Sequence, residues 1–195
     1  SGKPIESVKT NVIGSLTILE EASDVDFVLG ISSDKVVQVS GSYGATKFLM
    51  EKLFSQFEEI NPKTKYRVIR LGNVIYSVDS VLYRWKNLIE NCEQVIVTDK
   101  RATRFFMTSE KSVDLILNCL ENAKDSKPYF EFMKSTSIGN LLQAMINKYV
   151  PKGCELPIKT IGLHPSENLH EKIFEDGTYT NEIEQYTIKE LEEMI

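Results

Sequence analysis

Tyr43 and Lys47 stand four residues apart, which puts a phenol and an ammonium on one face of any helix that carries both. A nearby ammonium favours the phenolate, so Tyr43 in such a pair is a candidate base near neutral pH. The spacing alone decides little. With 8 Tyr and 18 Lys in 195 residues, chance supplies about 0.7 such pairs. The pair gains weight from the run Ser32-Ser33-Asp34-Lys35, which ends eight residues before Tyr43 and follows an apolar stretch, Asp26–Ile31.

These groups need elements that hold them. Val8, Val12, Leu16 and Leu19 recur on one face, so residues 5–22 read as a helix, with Pro4 suited to its first turn. Residues 26–32 read as a short strand buried on both faces. Residues 43–60 read as a second helix with Leu49, Leu53, Phe54 and Phe57 toward a core, and 66–71 as a second strand. A helix over 80–91, a short strand at Val95–Thr98 and a helix from Ser109 to about Ala123 follow. The apolar set of that last helix is Val113, Leu115, Ile116 and Leu120. Residues 128–133 and 156–161 read as strands, 137–149 as a helix and 187–195 as a final helix. Phe48, Phe54 and Phe57 are expected in the core, and Tyr83 and Trp85 in packing. Glu190–Glu193 reads as a solvated helix face.

Strands alternating with helices predict an α/β fold with a parallel sheet. Such sheets bind ligands beyond the carboxyl ends of their strands, here just after Ile31 and just after Leu71. No GxGxxG follows a strand, and no acidic residue stands about 20 residues beyond one. A dinucleotide's pyrophosphate sits on the backbone N–H groups of such a turn. The chain also opens with a helix where a Rossmann half opens with a strand. The sheet is therefore expected to be incomplete on its N-terminal side, with roughly 100 residues of a normal α/β domain lying upstream.

Composition narrows the classes. The net charge is -5, and Lys and Arg form no basic run, so nucleic-acid binding has no electrostatic support. No apolar stretch approaches the roughly 18–20 residues that span a bilayer, and Ser1-Gly2-Lys3-Pro4 does not read as a signal peptide. Cys92, Cys119 and Cys154 are odd in number and lack a CxxC pair, which reads as buried or incidental thiols in a reducing compartment; the expected location is cytoplasmic. His164 and His170 lack metal-ligand spacing, so no metal site is expected.

Ser32 to Lys47, SSDKVVQVSGSYGATK, closely resembles the STDKAVNPxNxYGATK signature of the inverting UDP-N-acetylglucosamine 4,6-dehydratases, within the extended short-chain dehydrogenase/reductase class. Retaining dehydratases carry Asp-Glu where this chain has Asp34-Lys35. Further blocks follow in the family's order. Lys9–Gly14 resembles the helix carrying a structural Asn, here Asn11. Arg70-Leu71-Gly72-Asn73-Val74 resembles RYGNV, Thr103–Thr108 resembles TRFFMT, and Gly162–Glu171 resembles GLRPGEKLHE. The likeness covers roughly residues 4–175.

The resemblance implies NADP (or NAD) as cofactor and a UDP-N-acetylhexosamine as substrate. The product would be the 4-keto-6-deoxy sugar inverted at C5, for glycan and polysaccharide biosynthesis. It assigns catalysis to Ser33, Asp34, Lys35, Tyr43 and Lys47, cofactor contacts to Tyr43, Lys47 and Asn11, and substrate contacts to Asn73, Arg104, His164 and Glu167. Tyr43 would take the O4 proton, Ser33 hydrogen-bond O4, and Lys47 hold the ribose and keep Tyr43 acidic. Lys35, depressed by burial, would take the C5 proton, and Asp34 protonate the departing C6 hydroxyl. Residues 1–75 would be the C-terminal part of a Rossmann-like domain. Residues 76–195 would mostly form a small substrate-binding lobe, interleaved with the last Rossmann elements. The parent would be a homo-oligomer. A 4-epimerase or reductase shares Tyr and Lys but lacks the Asp-Lys pair, and a truncated, non-catalytic homologue is the non-enzymatic alternative.

Four departures from the pattern bear on the substrate. His164 stands for an Arg near the diphosphate, and an imidazole lacks the bidentate fork. Ser166 and Asn168 stand for Gly and Lys, Val78-Asp79 for Arg-Gly, and Gln38-Val39 for Asn-Pro.

Overall fold

Pro4 sets the first turn: its ring holds a helical φ, and its missing N–H is one that a helix start leaves unbonded. From there the computed structural model, which describes residues 3–22, 24–77, 80–175 and 177–195, runs through α1 (Pro4–Ser7), a π-helical stretch (Val8–Ile13) and α2 (Gly14–Glu21). β1 (Phe27–Ser33) follows, then a 3₁₀ turn at Asp34–Val36 and the long α3 (Ser42–Ile60). Next come β2 (Lys65–Leu71), β3 (Asn73–Val74), α4 (Val81–Glu90), β4 (Val95–Val97), β5 (Thr103–Met107) and α5 (Ser109–Asn122). The later elements are β6 (Pro128–Tyr129), β7 (Ser135–Ser137), α6 (Ile138–Tyr149), β8 (Ile158–Thr160) and α7 (Ile188–Met194).

Two compact units divide the chain. One comprises the described residues up to Gly72, with 110–132 and 172–177; the other comprises Asn73–Ser109, Met133–Glu171 and Thr178–Ile195. In the first unit β1, β2 and β6 form a parallel sheet in that order, the α/β architecture that the alternation of elements predicts. Parallel strands require a crossover, and α3 supplies the one between β1 and β2. Ser33 pairs with Leu71, so the two strands end level. Leu19, Met50, Phe54, Tyr66 and Val68 form the core. Phe54 packs on bare backbone at Gly30, where an added Cβ would lie 2.7 Å from the ring. That contact brings α3 close onto β1.

In the second unit β3 pairs with β5 in parallel, β5 with β7 in antiparallel fashion, and β4 with β8 in parallel. α4, α6 and α7 close over a core that includes Leu82, Trp85, Ile89, Leu141, Leu142, Met145 and Leu191.

Several local expectations change. Among the described residues β1 is paired along one edge only, and its faces differ: Ile31 is 38% exposed while Ser32 is buried. Leu49 and Phe48 also lie exposed, Phe48 beneath the Lys52 ammonium rather than in the core. On α5 the buried positions are Leu115 and Cys119, while Val113 and Leu120 face outward. Tyr83 is exposed although Trp85 is buried. The strand expected over 128–133 shrinks to two residues, and the segments at 103–107 and 135–137 are strands.

Cys92 and Cys154 form a disulfide, in place of the two incidental thiols expected. The β4–β8 pairing of Val95 with Ile158 sets the preceding turns side by side, with the two Cα atoms 6.1 Å apart. No local spacing reveals a bridge across 62 residues. Val78 and Asp79, which stand for the family's Arg-Gly, lie outside the described residues. No described helix is long and apolar enough to cross a membrane.

Candidate active site

β1 ends in Ser33, whose extended backbone turns directly into the 3₁₀ turn at Asp34–Val36. Side chains alternate along a strand, so Ser32 and Ser33 serve opposite faces. Ser33 caps the turn, its Oγ accepting weakly from the Lys35 N–H at 3.4 Å. The same hydroxyl donates to Asp34 Oδ1 at 2.7 Å. Lys35 Nζ reaches the same carboxylate oxygen at 3.0 Å. Asp34 is fully buried, and its Oδ2 has no partner among the described residues. The Lys35 side chain is 35% exposed, so the burial expected around it is only partial.

α3 brings Tyr43 to this turn. Its start packs so close that a Cβ on Gly44 would sit 2.2 Å from the Lys35 carbonyl oxygen. Glycine is the residue that permits that approach. Burial around the hydroxyl is the largest influence on Tyr43 and raises its pKa, although the residue as a whole is 39% exposed. The Lys35 ammonium pulls the pKa down, the Asp34 carboxylate pushes it up, and a hydrogen bond with Ser33 pulls it down. The net direction is upward, opposite to the sequence expectation. The cation acting on the phenol is Lys35, whereas the sequence pointed to Lys47.

Lys47 instead donates to the Ile31 carbonyl at 2.7 Å, and burial lowers its pKa. One of its three N–H groups is thereby used and two remain. Asn11, in the π-helical stretch, donates to Thr46 Oγ1 at 3.0 Å, and Thr46 Oγ1 donates to the Tyr43 carbonyl at 3.0 Å. Asn11 thus braces the first turns of α3.

The candidate substrate residues lie in the second unit. Asn73 spends its amide N–H on the Phe105 carbonyl at 2.9 Å, joining β3 to β5. Arg104 donates from Nη1 to the carbonyls of Thr103 at 2.8 Å and Leu169 at 3.1 Å, and its Nε lies 3.8 Å from Glu171. It therefore ties β5 to the far end of the 162–171 segment. His164 and Glu167 form a turn of their own: the His164 N–H donates to Glu167 Oε2 at 3.1 Å, and the Glu167 N–H to the His164 carbonyl at 2.9 Å.

A family model described as polysaccharide biosynthesis protein matches residues 2–192. The chain belongs to that family. Among its relatives, the uncharacterized membrane protein MJ1061 of Methanocaldococcus jannaschii is 36% identical over 98% of this chain and 58% of its own length. A UDP-N-acetylglucosamine 4,6-dehydratase (inverting) of Campylobacter jejuni strain 81-176 is 32% identical over 94% of this chain and 55% of its own length. The chain thus spans little more than half the length of these relatives. The X-ray structure of Pen from Bacillus thuringiensis superposes with a TM-score of 0.88 at 24% identity, covering 99% of this chain and 69% of that one. That likeness places the chain in the Rossmann-like fold.

Sequence reasoning missed two polar networks in this family member. In the first unit, Glu51 and Arg70 form a buried ion pair with Ser32 attached. In the second, Thr103 Oγ1 meets His170 Nδ1 at 2.8 Å and Thr180 Oγ1 at 2.6 Å. The first had a signal. Arg67 and Arg70 interrupt an apolar strand, and a charge buried there requires a partner. The second had none, because Thr103 and Thr180 are 77 residues apart.

Proposed function

We propose that the complete protein is a UDP-N-acetylglucosamine 4,6-dehydratase that inverts C5, a lyase acting in the cytoplasm on nucleotide sugars for polysaccharide biosynthesis. One observation carries the reading. A fully buried carboxylate, Asp34, shares Oδ1 with the Ser33 hydroxyl and the Lys35 ammonium and leaves Oδ2 buried without a partner among the described residues, beside the phenol of Tyr43. Elimination of water across C5–C6 needs an acid and a base within reach of adjacent carbons. A 4-epimerase has no use for that pair.

The proton inventory closes on these residues. Transfer of one proton from Lys35 Nζ to Asp34 Oδ1, across 3.0 Å, converts the ion pair into a neutral amine and a carboxylic acid. Tyr43, as the phenolate that the Lys35 ammonium favours and after losing its own proton to solvent, takes the O4 proton, with Ser33 hydrogen-bonded to O4. The C4 ketone then acidifies the C5–H bond, Lys35 removes that proton, and Asp34 gives its own to the C6 hydroxyl, which leaves as water. Ammonium and carboxylate are thereby restored. The proton that Tyr43 took from O4, passed on through solvent, is delivered to the opposite face of C5, which completes the inversion and returns Tyr43 to its starting state.

A nicotinamide cofactor, NADP or NAD, supplies hydride acceptance at C4 and return at C6. The residues present fit its ribose: two N–H groups of Lys47 remain beyond the Ile31 bond, next to Tyr43. Asn11 acts indirectly, by bracing Thr46. The pyrophosphate calls for a glycine-rich turn after a strand, which these 195 residues lack. They are accordingly expected neither to bind the cofactor with micromolar affinity nor to turn over substrate by themselves. Asn73, Arg104, His164 and Glu167 are proposed to hold the UDP-sugar, and the complete protein to assemble as a homo-oligomer.

The test is product analysis. The complete protein is incubated in D2O with UDP-N-acetylglucosamine and either nicotinamide cofactor, and the products are read by NMR. A 4-keto-6-deoxy sugar inverted and deuterated at C5 is expected. A C4 epimer that retains its C6 hydroxyl would refute the dehydratase reading and favour the epimerase.

A further inference from the structure

Behind the strand end that carries Ser33 and Asp34 lies a second set of charges, which the proposed chemistry does not touch. Ser32 Oγ donates to Glu51 Oε1 at 2.6 Å. Arg70 grips the same carboxylate with two bonds, Nε to Oε1 at 2.9 Å and Nη2 to Oε2 at 2.8 Å. Its Nη1 donates to the Ile173 carbonyl at 2.9 Å, and Glu175 lies 3.6 Å from Nη2. The guanidinium and the Glu51 carboxylate are 4% and 5% exposed.

A buried ion pair is a poor way to gain stability. Desolvating two charges costs about what their attraction returns, and well-packed apolar residues often do as well. What the pair supplies is direction. Ser32 and Arg70 are register partners on β1 and β2. Glu51 lies on α3, two turns beyond Tyr43. The bidentate fork fixes the carboxylate in a plane. The carboxylate in turn fixes the Ser32 hydroxyl, and with it the backbone that presents Ser33 one residue on. Ser33 has a single hydrogen, for which Asp34 Oδ1 and the Tyr43 oxygen compete. A small rotation at Ser32 therefore redistributes both contacts.

We propose that Glu51 and Arg70 are positioning residues of the candidate site: through Ser32 they hold the end of β1 so that Ser33 meets Asp34 and Tyr43 together. The proposal rests on the dehydratase reading for its kinetic test but not for its spectroscopic one. In the complete protein, Ser32→Ala removes only the link between the ion pair and the strand. Glu51→Leu/Arg70→Met replaces the pair with apolar side chains of similar volume. Three quantities are measured: melting temperature, kcat and KM for UDP-N-acetylglucosamine, and the ring-carbon NMR resonance of Tyr43 in 13C-tyrosine protein, assigned through Tyr43→Phe.

Both variants are expected to melt close to the parent and to keep KM. They should lose roughly ten- to a hundredfold in kcat, the scale of a misplacement of about 1 Å, and shift the Tyr43 resonance. Ser32→Thr, which keeps the hydroxyl, should restore both. The resonance decides the matter. An unshifted Tyr43 signal in a folded Ser32→Ala protein overturns the proposal, whether or not the double variant folds. A parent protein with no dehydratase activity would refute the functional reading, and the resonance would still judge this one.

Discussion

Lys47 sends its ammonium to the carbonyl of Ile31, 2.7 Å away, and leaves the Tyr43 hydroxyl to Ser33 and Lys35. The helix spacing of four places the two side chains on one face, but a carbonyl at the end of β1 is the stronger partner for a half-buried ammonium. Lys47 and Lys35 therefore differ in what they meet: Lys47 binds the end of β1, and Lys35 acts on the phenol.

This division predicts a titration. A cation near a phenol favours the phenolate, so removing it must raise the pKa. Lys35→Met should move the Tyr43 titration further above its already raised position. Lys47→Met should leave that titration in place and weaken cofactor binding. The check is NMR titration of labelled tyrosine together with calorimetry of cofactor binding. The opposite pattern would return the tuning role to Lys47.

A second prediction separates the two half-reactions. In the proposed mechanism, hydride removal from C4 needs Tyr43, whereas elimination needs a base at C5. Lys35→Ala in the complete enzyme should lower dehydration by about 10²–10⁴-fold, the usual worth of a general base. Slow exchange of the C4 hydrogen with labelled cofactor should persist. Dehydration at the parental rate would remove Lys35 from the mechanism.

The fold was legible because β1, α3 and β2 follow one another as apolar run, 3.6-residue stripe and apolar run, although Arg67 and Arg70 interrupt the last. That Asp34, Lys35 and Tyr43 gather at the end of β1 was legible because they are close in sequence. What was not legible came from distance and from edges. Cys92 and Cys154 meet only because β4 and β8 pair. Val113 and Leu120 match the helical period of α5, yet the helix buries the stripe of Leu115 and Cys119 instead. The direction of the Tyr43 shift depends on how deep the hydroxyl lies, which no spacing records.

A third prediction concerns position 164. His164 and Glu167 close a turn through the His164 backbone and the Glu167 N–H and carboxylate, so the imidazole itself takes no part in the bonds that shape it. His164→Arg should therefore keep the turn and add a guanidinium fork. A charge-assisted contact to phosphate is typically worth about 1.5–3 kcal/mol, so KM for the UDP-sugar should fall about tenfold or more. An unchanged KM would show that position 164 does not meet the diphosphate.

The last prediction concerns the acid limit of the second unit. α7 begins with a reciprocal cap: the Thr187 hydroxyl accepts from the Glu190 N–H, and the Glu190 carboxylate accepts from the Thr187 N–H at 2.7 Å. Lys134 pairs with the same carboxylate at 2.9 Å. The backbone bond from Thr187, followed by the Lys134 contact, brings the Glu190 pKa from 4.5 down to about 2. A carboxylate lowered by folding stabilises the native state above its unfolded pKa, and that contribution fades as pH falls toward the folded value. Glu190 should thus support α7 fully above about pH 4.5 and lose its grip between there and pH 2. Because Leu191, one residue on, is fully buried in the core, loosening of α7 should register as loss of packing around Trp85, the only tryptophan. Trp fluorescence against pH should show a transition in that window, and Glu190→Gln should flatten it. Thr187→Ala removes the hydroxyl half of the cap and should cost about 1 kcal/mol at neutral pH, seen as a lower denaturation midpoint. A Glu190→Gln protein with the parental acid transition would assign that transition to other carboxylates.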